Sequence, residues 1–171
     1  VSTGRAAQAG ILVKDAAALE RAHKLSVLVV DKTGTLTEGK PGVTDLLPVA
    51  GLAQDELLQT AAMLAQGSTH PLSRALLDHA QARQFTPAKS ANISELPGHG
   101  LHAEVDGKHY LLGSPSFAMR EGIAIDGQQI LGFQRQGKTV IALACDGVLL
   151  GYIAFADQLR ASSLAAVAQL F

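Results

Sequence analysis

The residues best suited to chemistry are Asp31-Lys32-Thr33-Gly34-Thr35-Leu36-Thr37, directly after the apolar run Val27, Leu28, Val29 and Val30. Aliphatic and β-branched residues ending in a carboxylate and a Gly/Thr turn read as a buried parallel strand that delivers one Asp to its carboxyl end. Open α/β sheets bind ligands at that end. Gly34 lets backbone approach closely, and the turn's N–H groups and Thr hydroxyls can cradle a phosphate. Asp31 is therefore a candidate nucleophile for phosphoryl transfer. Taken alone, a His before a helix-starting proline in Ser68-Thr69-His70-Pro71 and the turn glycines of Pro97-Gly98-His99-Gly100 are ordinary loop features. His99, His102 and His109 cluster in sequence. On strands, positions 99 and 102 point to opposite faces, and no carboxylate or cysteine completes a ligand set, so a metal site there is not expected.

The run DKTGTLT resembles the phosphorylation signature of the P-type ATPases, and DKTGTLTEGKP with Thr69-His70-Pro71-Leu72 resembles the heavy-metal-transporting branch. The resemblance implies that Asp31 attacks the γ-phosphate of ATP. It also implies that Mg²⁺ bridges the Asp31 carboxylate, the Thr33 carbonyl and the phosphate, and that Thr35 hydrogen-bonds the phosphate. Related haloacid-dehalogenase-like phosphatases carry a second Asp two residues after the nucleophile, where this chain has Thr33. His70, Gly98 and Gly100 take the adenine-binding roles of the family's His-Pro and Gly-x-Gly motifs. Two positions depart from the pattern. Ala65 stands where a Glu usually accepts from the adenine amino group, with Gln66 a stand-in, and Ser114 stands where an Asn usually follows Gly113.

The expected function is thus the ATP-binding and phosphorylation-site segment of a heavy-metal-exporting P-type ATPase. The expected cargo is Cu⁺, with Zn²⁺/Cd²⁺ as the alternative. A phosphatase of the haloacid dehalogenase type, or a nucleotide-binding module without chemistry, are the competing readings. The implied cofactors are ATP and Mg²⁺, and the implied partners are the transported cation and the remaining pump domains. The implied location is the cytoplasmic portion of an integral protein of a bacterial inner membrane. In the family the remaining catalytic Lys and the Asp-rich Mg²⁺ site follow later in the chain, so these residues alone are expected to be inactive.

Bulk composition sets limits. The 171 residues are 47% hydrophobic and 17% charged, the balance of a folded domain, not of a disordered tail. A net charge of −1 leaves no electrostatic footprint for nucleic acid. The single cysteine, Cys145, excludes an internal disulfide and a cysteine-based zinc cluster. No apolar run approaches the roughly 18 residues that span a bilayer.

The elements that must position these residues follow from periodicity and turn chemistry. Residues 15–22 are alanine-rich behind Asp15 and predict a short helix. Residues 38–42, Glu-Gly-Lys-Pro-Gly, are expected to break regular structure as a hinge. A strand is predicted over 43–49, a helix from a cap at Gln54 or Asp55 to Leu64, and a second helix from Pro71 towards Arg83. Strands are predicted over 93–96, 100–105, 108–112, 139–145 and 148–155, with Asp106-Gly107 and Asp146-Gly147 as two-residue hairpin turns. Helices are expected from Ser114-Pro115 to Arg120, over 127–136 and over 160–171. The fold class is an α+β nucleotide-binding domain with an antiparallel sheet flanked by helices, inserted in an incomplete α/β haloacid-dehalogenase-like phosphorylation domain. The expected divisions are 1–41, 42–155 and 156–171.

Overall fold

The computed structural model describes residues 2–8, 10–13, 15, 17, 21, 24–49, 51–87, 92–96 and 98–169. The chain divides into two compact units, Val1–Asp31 and Lys32–Phe171.

In the first unit, helix α1 spans Ser2–Gln8 and ends where Gly10, at φ +77°, donates to Ala7 O at 3.0 Å. That is the left-handed glycine stop of a helix. The helix expected over 15–22 lies largely outside the described residues, although Asp15 Oδ1 accepts the Ala17 amide at 2.9 Å. The buried parallel strand expected over 27–30 is not formed: these residues have no regular structure, and Val29 is 91% exposed. An all-apolar strand needs a neighbour on each edge and cover on both faces. Among its described residues the first unit contains no strand to pair with the run.

The second unit is built on six antiparallel strands in the order β1-β6-β5-β4-β3-β2. They span Thr37–Pro48 (β1), Ile93–Leu96 (β2), Gly100–Val105 (β3), Lys108–Gly113 (β4), Thr139–Cys145 (β5) and Val148–Leu159 (β6). Both Asp-Gly hairpins form as their turn chemistry demands, with Asp106, Gly107, Asp146 and Gly147 all at positive φ. Helices α2 (Gln54–Ala65) and α3 (Pro71–Ala82) cover one face; α4 (Pro115–Arg120) and α5 (Gly127–Arg135) lie over the other, and α6 (Ala161–Ala168) follows β6.

Strand β5 explains the layering. Its residues alternate between two cores, Ile141 and Leu143 facing α2 and α3 while Val140, Ala142 and Ala144 face α4 and α5. With both faces covered, the strand is apolar at successive positions.

The break in regular structure expected at 38–42 does not occur. Strand β1 runs through it, paired with the far end of β6, and Gly39 at φ +73° and Pro41 are absorbed by an irregularity between the pairs Thr37/Leu159 and Pro41/Asp157. Gly and Pro break a strand only where their backbone cannot be accommodated, and a bulge accommodates both. A side-chain cap at Gln54 or Asp55 is likewise replaced by Ala53, which makes no side-chain cap bond. Acidic Asp55 and Glu56 remain in the first turn, where the helix dipole favours them.

Lys138 Nζ lies 2.7 Å from Asp45 Oδ2, joining the segment before β5 to edge strand β1. The hydrogen bond from Lys138, with a second from the Thr44 hydroxyl, holds the Asp45 carboxyl below its ordinary value of 3.8. A depressed carboxylate contributes stability that is complete above the unfolded-state pKa and is lost as pH falls through the folded one. Lys138→Met should therefore lower stability by about 0.5–1 kcal/mol at neutral pH. The deficit should vanish in denaturation midpoints measured below the ordinary carboxylate range, and a deficit independent of pH would contradict the pairing.

Candidate functional site

Helix α3 begins with Pro71 at its first position, where a missing N–H costs nothing. The residue before it must cap, and His70 does so with its ring: Nδ1 accepts the Leu72 amide at 3.2 Å. An Nδ1 that accepts carries no proton, so the neutral ring holds its proton on Nε2. The His70 amide donates to Ser68 Oγ at 3.1 Å, and that hydroxyl donates to Glu95 Oε1 at 2.8 Å. The loop is pressed onto β2 at Gly67, where an added Cβ would fall 2.4 Å from Ile93 Cγ2.

The Gly-x-Gly turn is held to the end of β4. Ser114 donates its amide to His99 O at 3.1 Å, and a Cβ on Gly100, at φ +155°, would sit 2.4 Å from Leu112 O. Only glycine fits there. Gly98, at φ +75°, faces open space: a Cβ would meet nothing within 4 Å. The Ser114 hydroxyl accepts the Phe117 amide at 3.2 Å and so caps α4, a role serine fills well.

These pieces enclose a cavity of about 220 Å³. Leu101, Leu112 and Ile141 supply sheet residues, Leu72 and Leu76 a helix wall, and Ser68, His70, Glu95 and Ser114 polar groups. An apolar slot with a few convergent polar groups is the usual form of a small-molecule site. His70, Gly98, Gly100 and Ser114, singled out from sequence, all line it. Ala65 and Gln66 do not: Ala65 is fully buried in the core, and Gln66 Nε2 reaches back to Met63 O at 3.4 Å. The carboxylate in the slot is Glu95, which the sequence reading missed. No local signal joins it to Ser68, 27 residues away.

The histidines require another correction. His99 and His102 do not diverge; both rings meet Phe117 edge-on, at 5.6 and 5.3 Å between centroids. His99 precedes β3, and the unusual φ at Gly100 interrupts the alternation that a continuous strand would impose. His109 lies near the other end of the hairpin, its amide bonded to Asp146 Oδ1 at 2.8 Å. No group of three metal-ligating side chains occurs among the described residues.

At the second chemical feature, Asp31 is exposed and closes the first unit, while Lys32–Leu36 forms a tight turn that opens the second. Thr33 and Thr35 are exposed, and Gly34 adopts φ +77°. The turn is tied to the return strand. Fully buried Thr37 takes the Gly34 amide at 3.1 Å and donates to Asp157 Oδ2 at 2.5 Å, while Asp157 Oδ1 accepts the Lys40 amide at 3.0 Å. Arg160 donates to Thr37 O at 2.9 Å and Gly34 O at 3.1 Å, and Ser163 Oγ to Leu36 O at 2.8 Å. Mg²⁺ takes hard oxygen ligands, and the exposed Asp31 carboxylate and the Thr33 carbonyl are each donors of that kind.

A family model for haloacid dehalogenase-like hydrolases matches residues 25–170. The chain belongs to the haloacid dehalogenase-like hydrolase family. Its curated relatives include the copper-exporting P-type ATPase B of Archaeoglobus fulgidus, 39% identical over 170 residues, covering 99% of this chain and 24% of that protein. They also include the silver-exporting P-type ATPase of Salmonella typhimurium, 38% identical over 165 residues, covering 95% of this chain and 20% of that protein. The chain thus spans about a quarter or less of the length of these relatives. Among solved structures, a zinc-transporting PIB-type ATPase in the E2.Pi state superposes with a TM-score of 0.72 at 35% identity, covering 82% of this chain and 23% of that one. The N-domain of the copper-transporting P-type ATPase HMA6 matches at 0.57 and 26% identity, covering 68% of this chain and 99% of that one.

Gly100→Ala should lower stability by about 1–3 kcal/mol, because the new methyl meets backbone that cannot yield. Gly42→Ala, where a Cβ meets nothing within 4 Å, should be near neutral. Urea denaturation of both variants checks this, and equal midpoints would contradict the close approach of Gly100 to β4.

Proposed function

We propose that this chain is the nucleotide-binding and phosphorylation segment of a metal-exporting P-type ATPase, with copper as cargo. The observation that carries the reading is the slot that gathers His70, Gly98, Gly100 and Ser114 in a chain that matches copper- and silver-exporting relatives over 99% and 95% of its length. The adenine of ATP lies in that slot against His70 and the open backbone at Gly98. The Asp31 carboxylate attacks the γ-phosphorus; an O–P bond forms to Asp31, the bond to the β-phosphate oxygen breaks, and ADP leaves. The Asp31 carboxylate and the Thr33 carbonyl would hold a Mg²⁺ ion, which would supply positive charge to the transferring group, and the Thr35 hydroxyl would donate to that group.

In this reading residues 42–155 form a nucleotide domain inserted in a phosphorylation domain to which 1–41 and 156–171 belong. The paired strands β1 and β6 carry both crossings. The intact protein places the segment on the cytoplasmic side of a bacterial inner membrane, its transport site in membrane residues. Among the described residues no helix is long and apolar enough to cross a membrane. Thr33 in place of a carboxylate base favours a persistent acyl phosphate, as a pump needs, over phosphatase turnover.

In the intact pump Asp31→Asn should abolish the hydroxylamine-sensitive phosphoenzyme, since an amide is not a competent nucleophile. Wild-type labelling of that variant would sink the assignment. In this chain His70→Ala should weaken ATP binding about tenfold by calorimetry, on the scale of one lost hydrogen bond to a buried group. Unchanged affinity would place the nucleotide elsewhere.

A further inference from the structure

We propose that Glu95 is the specificity-determining residue of the slot, accepting a hydrogen bond from the exocyclic amino group of the purine; this rests on the nucleotide reading above. Glu95 is the carboxylate among the cavity's lining residues, brought there by β2 rather than by the helix that ends at Ala65. Its register partner on β3 is Leu101, which lines the same cavity, so the two side chains share the face turned towards α2 and α3.

One oxygen is engaged. Ser68 Oγ donates to Glu95 Oε1 at 2.8 Å and accepts the His70 amide at 3.1 Å, so a single hydroxyl joins the carboxylate to the imidazole residue. His70 spends Nδ1 on the Leu72 amide. Beyond those bonds, Glu95 offers Oε2, an acceptor, and His70 offers Nε2–H, a donor. Adenine presents the complement, an amino donor beside a ring-nitrogen acceptor. Guanine's N1–H and N2–H pair would call for both carboxylate oxygens, and Ser68 already holds one.

The test is calorimetric titration of wild type, Glu95→Ala, Glu95→Gln and His70→Ala with ATP and with purine riboside triphosphate, which lacks the amino group. Wild type should prefer ATP about tenfold. Glu95→Ala should bring the two within about twofold by weakening ATP alone, and Glu95→Gln, whose carbonyl still accepts, should fall between. The assignment is overturned if Glu95→Ala keeps the wild-type ratio or weakens both nucleotides alike, as loss of a merely structural contact would. If His70→Ala still weakens ATP in that case, the slot stands without Glu95. Failure of wild type to bind either nucleotide overturns both readings.

Discussion

The antiparallel pairing of Thr37–Pro48 with Val148–Leu159 is the constraint on which the second unit depends. It closes one edge of the sheet and ties two segments more than a hundred residues apart. At its far end Asp157 holds both Thr37 and the Lys40 amide, so the turn over Lys32–Leu36 is fixed by the strand that returns from the sheet. A buried hydroxyl without such a partner would cost about 1–3 kcal/mol, which is why Thr37 can be fully enclosed there. Pairing and pinning together join the turn that precedes β1 to the same sheet that carries the slot.

The slot depends on close approach more than on chemistry. Gly67, Gly100 and Gly113 each sit where a Cβ would meet another residue below 3 Å, Gly67 against the Ile93 side chain and the other two against backbone of the facing segment. That convergence brings residues of the loop before α3 and of the turn before β3 to the same leucine-lined slot. Several of its polar groups are held in place by bonds within the protein, through Ser68 and through the two helix caps at His70 and Ser114. Such rigid support is what holds a recognition group in one orientation.

Local signals were legible wherever one short stretch decides the outcome. The Asp-Gly hairpins, Pro71 and Ser114-Pro115 as helix starts, and the strand over Thr139–Cys145 all follow from residues within a few positions. The four slot residues were legible through family resemblance, not through spacing. What escaped depends on distant partners. The run at 27–30 has strand composition but no strand partner among the described residues of its unit, whereas 38–42 has breaker composition and a neighbour in β6 that carries it as strand. Glu95 reads as an ordinary polar residue on a short edge strand until Ser68 is seen beside it. Tertiary pairing overrides local propensity in each case.

The central claim is that the nucleotide base occupies the slot between His70 and the Gly98 turn. Titration of AMP into the isotope-labelled chain, followed by amide chemical shifts, tests it most directly. The account predicts that the largest changes fall on His70, Leu72, Gly98, Gly100 and Ser114, with the amides of Lys32–Leu36 little affected because AMP lacks the transferable phosphate. Changes confined to Lys32–Leu36, or spread without reference to the slot, would contradict it.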